Sequence, residues 1–203
     1  MQTLVHPCCV PSPYDDSAGC GRVTLRDGRA AVVRIARPED REALRDFFER
    51  LSPESRRRRF CSLAPPGSGL IALLCNDSDP RSALTLVVNS NGKNVPSIIA
   101  TGSYVAKDKR TVEVALAVAD AFQGKGLGTL LLKRLAHLAM LNGFTHFWAV
   151  THIDNRPMQH VLRESGFCVE ERLQGDQIEM DLSVVPFEPT VARLPKVSRQ
   201  TQH

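Results

Sequence analysis

Apolar positions fall into short strand-length groups and into helix-spaced sets, and the order of these groups sets the expected fold. "AAVVRIAR", Ala30 to Arg37, reads as a strand by its β-branched content. In "RPEDREALRDFFERL" the residues Ala43, Leu44, Phe47, Phe48 and Leu51 recur at helical spacing, with Pro38 and Asp40 as start signals. "SPESRRRRF" restarts with Ser52 as cap and Pro53 at the first helical position, which predicts a second short helix. "PPGSG" reads as a loop and "LIALLC" as a further short helix. Three strands follow, "SALTLVVN", "PSIIATGSYVA" and "TVEVALAVA", separated by the polar turns "SNGKN" and "KDKR"; such short turns imply antiparallel hairpins. Thr129 to Leu141 is predicted as a helix that ends at Asn142-Gly143. After it come the strand "THFWAV", the helix "NRPMQHVLRESG" with Asn155 as cap and Gly166 as stop, and a hairpin of "FCVEERL" and "DQIEMDLS" around Gln174-Gly175. The expected class is α/β (α+β): a mixed, mainly antiparallel sheet with helices on both faces and one central βαβ crossover.

Length and charge narrow this picture. The 203 residues suit one domain with tails: a non-periodic arm over 1–20 rich in Pro, Ser and Cys, a folded part over 29–183, and a proline-bearing tail over 186–203. Runs such as "VALAVA" are far shorter than the roughly 20 apolar residues that cross a bilayer, and the N-terminus carries no basic leader; a cytoplasmic protein without a membrane partner is expected. The net charge of +4 owes part of its excess to Arg56–Arg59, but Glu49 and Glu54 flank that run and no aromatic series interleaves it, so nucleic acid is not an expected partner. None of the six cysteines forms a C-x-x-C pair, and His6, Cys8 and Cys9 lack paired ligand spacing; free thiols and no metal are expected.

The candidate chemistry lies in "VADAFQGKGLGTLLLKRLAHLAM", where Gly124, Gly126 and Gly128 run into a leucine-rich helix. Exposed amide groups and the positive end of a helix dipole favour an anion there, and glycines let backbone approach phosphate oxygens. A Walker loop requires Lys-Ser/Thr after its last glycine, whereas Thr129-Leu130 follow Gly128. A dinucleotide fingerprint requires G-x-G-x-x-G near the start of several βαβ units; here the spacing is G-x-G-x-G, although Asp154 stands after the next strand where a ribose-binding acid would. Coenzyme A pyrophosphate is the third option.

"QGKGLG", Gln123 to Gly128, after the strand "VEVALAV" resembles the Q/R-x-x-G-x-G/A signature of the GNAT superfamily of acyl-CoA-dependent N-acyltransferases. "NRPMQHVLRESGF", Asn155 to Phe167, resembles that family's second signature, and the element order is similar to its fold over 29–183. "RPEDREALRDFFERLSPESRRRRF" and "VEVALAVADAFQGKGLG" are similar to the acyltransferase domains of bacterial protein lysine acetyltransferases. The resemblance implies an acetyl-CoA-dependent N-acetyltransferase acting on an amine, with a protein lysine as acceptor, or alternatively a small-molecule amine. A catalytically weak acyl-CoA-binding sensor is the reading from another class, and a nucleotide oxidoreductase comes third.

By that resemblance, backbone groups of Leu116 and Val118 would hold the pantetheine arm. Gln123, Gly124, Lys125, Gly126, Leu127, Gly128 and Thr129 would cradle the pyrophosphate, Lys125 adding charge, and Asn155 would be a further contact. In "TVEVALAV" the residues Val112, Val114, Leu116 and Val118 share one face while Glu113, Ala115 and Ala117 share the other. Both faces are apolar apart from Glu113, so that carboxylate is expected to be partly buried, and it matches the position of the family's general base. Counting seven residues on from Asn155, where many members carry an acidic tyrosine, gives Leu162; Tyr104 and His160 are substitutes, and solvent is a third proton source. A monomer or homodimer is expected.

Overall fold

The computed structural model describes residues 20–90 and 97–184. The expected arm before Cys20, the turn at 91–96, the tail over 186–203 and the cluster of His6, Cys8 and Cys9 lie outside the described residues.

Eight strands make one sheet in the order β1-β2-β3-β4-β5-β6-β8-β7. The strands are β1 (Gly21–Thr24), β2 (Ala30–Ile35), β3 (Ala83–Ser90), β4 (Ile98–Ala106), β5 (Thr111–Val118), β6 (His146–His152), β7 (Cys168–Gln174) and β8 (Gln177–Ser183). The helices are α1 (Arg41–Arg50), α2 (Pro53–Phe60), α3 (Ser68–Leu74), α4 (Leu127–Leu141) and α5 (Arg156–Arg163). Every neighbouring pair is antiparallel except β5 and β6, which the α4 crossover joins in parallel. The expected mixed sheet with helices on both faces is therefore the observed one.

The fold gains one strand over the sequence expectation. β1 is an edge strand of four residues, too short and too polar to show a period-2 signal. The turn after it carried the readable mark: Asp27-Gly28, with Gly28 at φ 82°, sits in the loop that Leu25 N–H closes onto Arg29 O at 2.8 Å.

Alternation along the central strands splits the buried residues into two cores. On one face Leu127, Leu131, Leu132 and Leu135 of α4 pack over Val112, Val114, Tyr104 and Phe147. On the other, Leu44, Phe47 and Phe48 of α1 and Ile71 and Leu74 of α3 pack over Val87, Ile98 and Ala117. Phe48 anchors this second core, with its ring centroid 5.1 Å from Phe47 and 5.0 Å from Phe60. The start of α1 is fixed by Asp40, which accepts from both terminal nitrogens of Arg34 at 2.6 and 2.7 Å and from Arg37 N–H at 2.8 Å. α2 begins as predicted, with Ser52 Oγ accepting from Ser55 N–H at 3.2 Å.

The feature that builds the site is a split between β5 and β6. They pair at only three positions, Thr111 with His146, Val112 with Phe147 and Glu113 with Trp148. Beyond that point β5 stays with β4 as far as Val118, and β6 stays with β8 as far as His152. The two strands part in a wedge with its vertex at Glu113 and Trp148, and the facing edge of β5 has no strand partner along Val114–Val118.

Candidate active site

A cavity of about 310 Å³ fills this wedge, a volume at the lower end of small-ligand sites. Val114 to Val118 form one wall and Val150 and Thr151 of β6 the opposite one. The glycine loop and the first turn of α4 close the open end; Met158 and Val161 of α5 flank it on one side, and Ser55, Arg58 and Arg59 of α2 on the other.

The three glycines divide into two tasks. Gly124 and Gly126 have φ of 72° and 86°, which side chains other than glycine rarely adopt. Gly128 is needed for a close approach instead: a Cβ there would stand 3.1 Å from Val161 Cγ2, so this glycine lets α4 and α5 pack. Behind the loop, Asp120 accepts from Ser52 N–H at 3.0 Å and from the hydroxyls of Ser52 and Ser55, both at 2.7 Å. Burial pushes the Asp120 carboxyl up, but these donors outweigh it and hold the group below its ordinary value. Gln123 Nε2 donates to Ser55 Oγ at 3.0 Å and to Val118 O at 3.1 Å, so its side chain is a strut between loop, α2 and β5.

Of the residues expected around the donor, Leu116, Val118, Gln123, Gly124, Gly126, Leu127, Gly128, Thr129 and Asn155 all line the cavity. Lys125 does not. Its ammonium lies 2.9 Å from Asp27 Oδ2 and donates to Ala121 O at 2.7 Å. A hydrogen bond from Arg29 first, and that of Lys125 next, hold the Asp27 carboxyl well below the usual carboxylate range. The cation on the cavity wall is Arg26, from the β1–β2 turn, whose Nε would be 3.3 Å from a Cβ on Gly126. Among the described residues Arg26 forms no ion pair. Asn155 is buried; its carboxamide accepts from Met158 N–H at 3.3 Å as the α5 cap and donates to Thr151 Oγ1 at 2.8 Å.

Glu113 corrects one expectation. It stands at the wedge vertex, next to the cavity-lining run Val114–Val118 but outside it, and is exposed, not partly buried; its backbone pairs with β4 and β6, and among the described residues its carboxylate makes no hydrogen bond or ion pair. Burial on its side of β5 rises along the strand, from exposed Glu113 through half-buried Ala115 to buried Ala117, because the α1–α3 core covers only the later half. Tyr104 is also removed as a proton source: it is fully buried on the α4 side, donates to Pro80 O at 2.8 Å, and burial pushes its hydroxyl well above the ordinary tyrosine value. Leu162 is a core residue. His160 lines the cavity, while His152 is engaged by Asp154 Oδ1 at 2.7 Å and Asp176 Oδ2 at 3.0 Å.

A wedge between two parallel strands, closed by a glycine turn at a helix N-terminus, suits an extended ligand that ends in a phosphate, as the acyl-CoA donors of the N-acyltransferases do. Comparison with known proteins agrees. Residues 39–167 match the acetyltransferase (GNAT) family, and the chain belongs to that family. It is an acetyltransferase with acetyl-CoA as its donor. Acetyltransferase PA5475 of Pseudomonas aeruginosa is 31% identical over 145 residues, 71% of this chain and 78% of that protein. Acetyltransferase Pat of Mycolicibacterium smegmatis is 29% identical over 173 residues, 82% of this chain; the chain spans about half, 51%, of that relative's length. The GNAT domain of S. lividans PAT superposes with a TM-score of 0.73 at 25% identity, covering 83% of this chain and 98% of that one. yncA of Salmonella typhimurium, solved with its cofactor acetyl-CoA, has the same fold at a TM-score of 0.63 and 20% identity, covering 80% and 98%.

Proposed function

We propose that this acetyltransferase acts on a protein lysine, with Glu113 as the general base. The observation that carries the reading is the run of β5: a glycine cradle lies beyond its C-terminal end, an unpaired edge follows along Val114–Val118, and a carboxylate without a partner stands at the vertex. About 16 Å separates Val118 from Glu113 at about 3.3 Å per residue, room for an extended arm between anion site and base. The residues suit acetyl-CoA: amide groups and Arg26 face the pyrophosphate position, backbone of Leu116 and Val118 without a strand partner on the β6 side faces an amide-bearing arm although Val118 O already accepts from Gln123, and the cavity walls are largely apolar.

Bound acetyl-CoA supplies an activated acetyl group; a C–N bond forms to the amine and the C–S bond breaks. At pH 7 a lysine with a pKa near 10.4 is neutral about once in 2,500 molecules, so removing its proton is what the protein must supply. Glu113 takes that proton, directly or through a water. Its exposure supports a macromolecular acceptor, because a lysine on another protein's surface reaches an open carboxylate more readily than a sealed one. Leu162 offers no proton to the leaving thiolate, so solvent, or His160 on the cavity wall, provides it.

Glu113→Gln tests the assignment. Acetyl-CoA affinity should stay within about twofold while kcat for thiol release falls about 10²- to 10³-fold; unchanged turnover would remove Glu113 as base. The absence of an acid at Leu162 also favours a second reading, a weakly active acyl-CoA-binding domain. Tight acetyl-CoA binding by the wild type with no acetylation of any lysine peptide or polyamine would decide for it.

A further inference from the structure

Among the four consecutive arginines of α2, the carboxylates are unevenly shared. Glu54 serves Arg57 at 3.1 Å and Arg58 at 2.8 Å, and Arg57 also reaches Asp154 at 2.9 Å. Arg59 has none of these. Its Nε is buried and has no hydrogen-bond partner, and one terminal nitrogen makes only a long 3.3 Å donation to Ser103 Oγ. Arg56 Nε and Arg58 Nε likewise lack a hydrogen bond, but Arg56 is not on the cavity wall and Arg58 has the Glu54 carboxylate at 2.8 Å, whereas Arg59 is on the wall without a carboxylate. Burial pushes the Arg59 guanidinium down to about 10; Glu113 is the one carboxylate that pulls it back. Arg59 as a whole is half-buried and its guanidinium lies 4.8 Å from the Phe60 ring centroid, but no carboxylate matches its buried Nε, and desolvating a cation without an anion is costly.

The position of Arg59 says what would match it. Ser103 pairs with Ala115 across the β4–β5 ladder, two residues on from Glu113 and on the same face. Arg59 on the cavity wall and Glu113 at the wedge vertex therefore offer a cation and an anion on one face of β5, the complement of a molecule that carries an anion near an amine. We infer that Arg59 is the carboxylate-binding residue of the acceptor site, and that the preferred acceptor is an amine carrying a nearby carboxylate, its nitrogen at Glu113 and its carboxylate on Arg59. This rests on the reading of Glu113 as the residue that meets the amine. Two sources share that chemistry: an acidic side chain flanking a protein lysine, and the α-carboxylate of a free amino acid.

Binding can be read without turnover. Peptides with Glu-Lys-Glu and Gln-Lys-Gln centres, and separately free lysine and 1,5-diaminopentane, are titrated calorimetrically into the coenzyme A-saturated protein. In the wild type the carboxylate-bearing member of at least one pair should bind about 10- to 100-fold more tightly, the pair showing which source applies. In Arg59→Gln, at a coenzyme A concentration that saturates the variant, that preference should collapse to less than about threefold, and Arg59→Lys should restore part of it. No preference in the wild type, or one that survives in R59Q, overturns the inference. Failure of the acetyl-transfer reading would appear differently, as carboxylate-dependent binding without thiol release from acetyl-CoA.

Discussion

Lys125 lies inside the glycine loop, where a sequence reader expects the phosphate-facing cation, but its ammonium is committed to Asp27 and to Ala121 O. Asp27 belongs to the β1–β2 turn, and the same turn places Arg26 over Gly126 on the cavity wall. The local pattern Gln-Gly-Lys-Gly-Leu-Gly made the loop legible, because glycines before a helix report backbone chemistry directly. It did not show which cation faces inward, since that depends on a turn about a hundred residues earlier, after an edge strand too short to show a period. Glu113 was legible in position and not in burial, because alternation tells which face a side chain takes and not how far a neighbouring helix covers that face. Arg26→Gln should weaken acetyl-CoA binding about tenfold and flatten its dependence on salt, while Lys125→Gln should change the affinity by less than about threefold. Dissociation constants at two salt concentrations check both, and the reverse order would restore Lys125 to the site.

At the scale of elements, the strands and helices that carry clear periodicity were readable: α1 from its spaced phenylalanines, α2 from Ser52-Pro53, and β5 from its two alternating faces. The parting of β5 from β6 was not readable, because hydrophobic alternation fixes which residues face each core but not where a ladder stops. One contact on the α4 side shows how closely the elements are fitted. A Cβ on Gly102 of β4 would meet Leu116 Cδ2 at 2.9 Å, Leu135 Cδ1 at 3.0 Å and Leu131 Cβ at 3.2 Å. Leu116 is a cavity-wall residue, so crowding at Gly102 is transmitted to the wedge as well as to α4. Gly102→Ala should cost about 1–3 kcal/mol of stability, by the usual penalty for overpacking a filled core, and should raise the dissociation constant for acetyl-CoA. Urea unfolding with and without acetyl-CoA separates the two effects; a variant as stable as the wild type would mean that α4 shifts freely on the sheet.

For the molecule as a whole, carboxylates join elements that apolar packing leaves apart. Asp40 fixes β2 to α1 through Arg34, and Asp120 fixes the β5–α4 loop to α2 through Ser52 and Ser55. Burial acts on both to raise the carboxyl, and the bonds from Arg34 and Arg37 to Asp40, like those from Ser52 and Ser55 to Asp120, overcome it; each folded value lies below the ordinary one. A carboxyl with a depressed folded value adds stability in full above its unfolded value, near pH 4, and loses it as the pH falls through the folded value. Between pH 7 and pH 5 these groups should thus leave stability flat, and below about pH 4 they should lower it progressively. Asp40→Asn breaks a half-buried bidentate pair and leaves Arg34 partly unmatched; at neutral pH this should cost about 2 kcal/mol, or about 4–8 °C in Tm for a chain of this size. At pH 3 the difference from the wild type should shrink, because the unfolded chain takes up the proton below about pH 4 while the folded carboxyl, held below its ordinary value, resists it. Thermal unfolding of both proteins at pH 7, 5, 4 and 3 reads this directly. If the gap in Tm stayed constant down to pH 3, Asp40 would stabilise the fold through its shape and neutral hydrogen bonds, not through its charge.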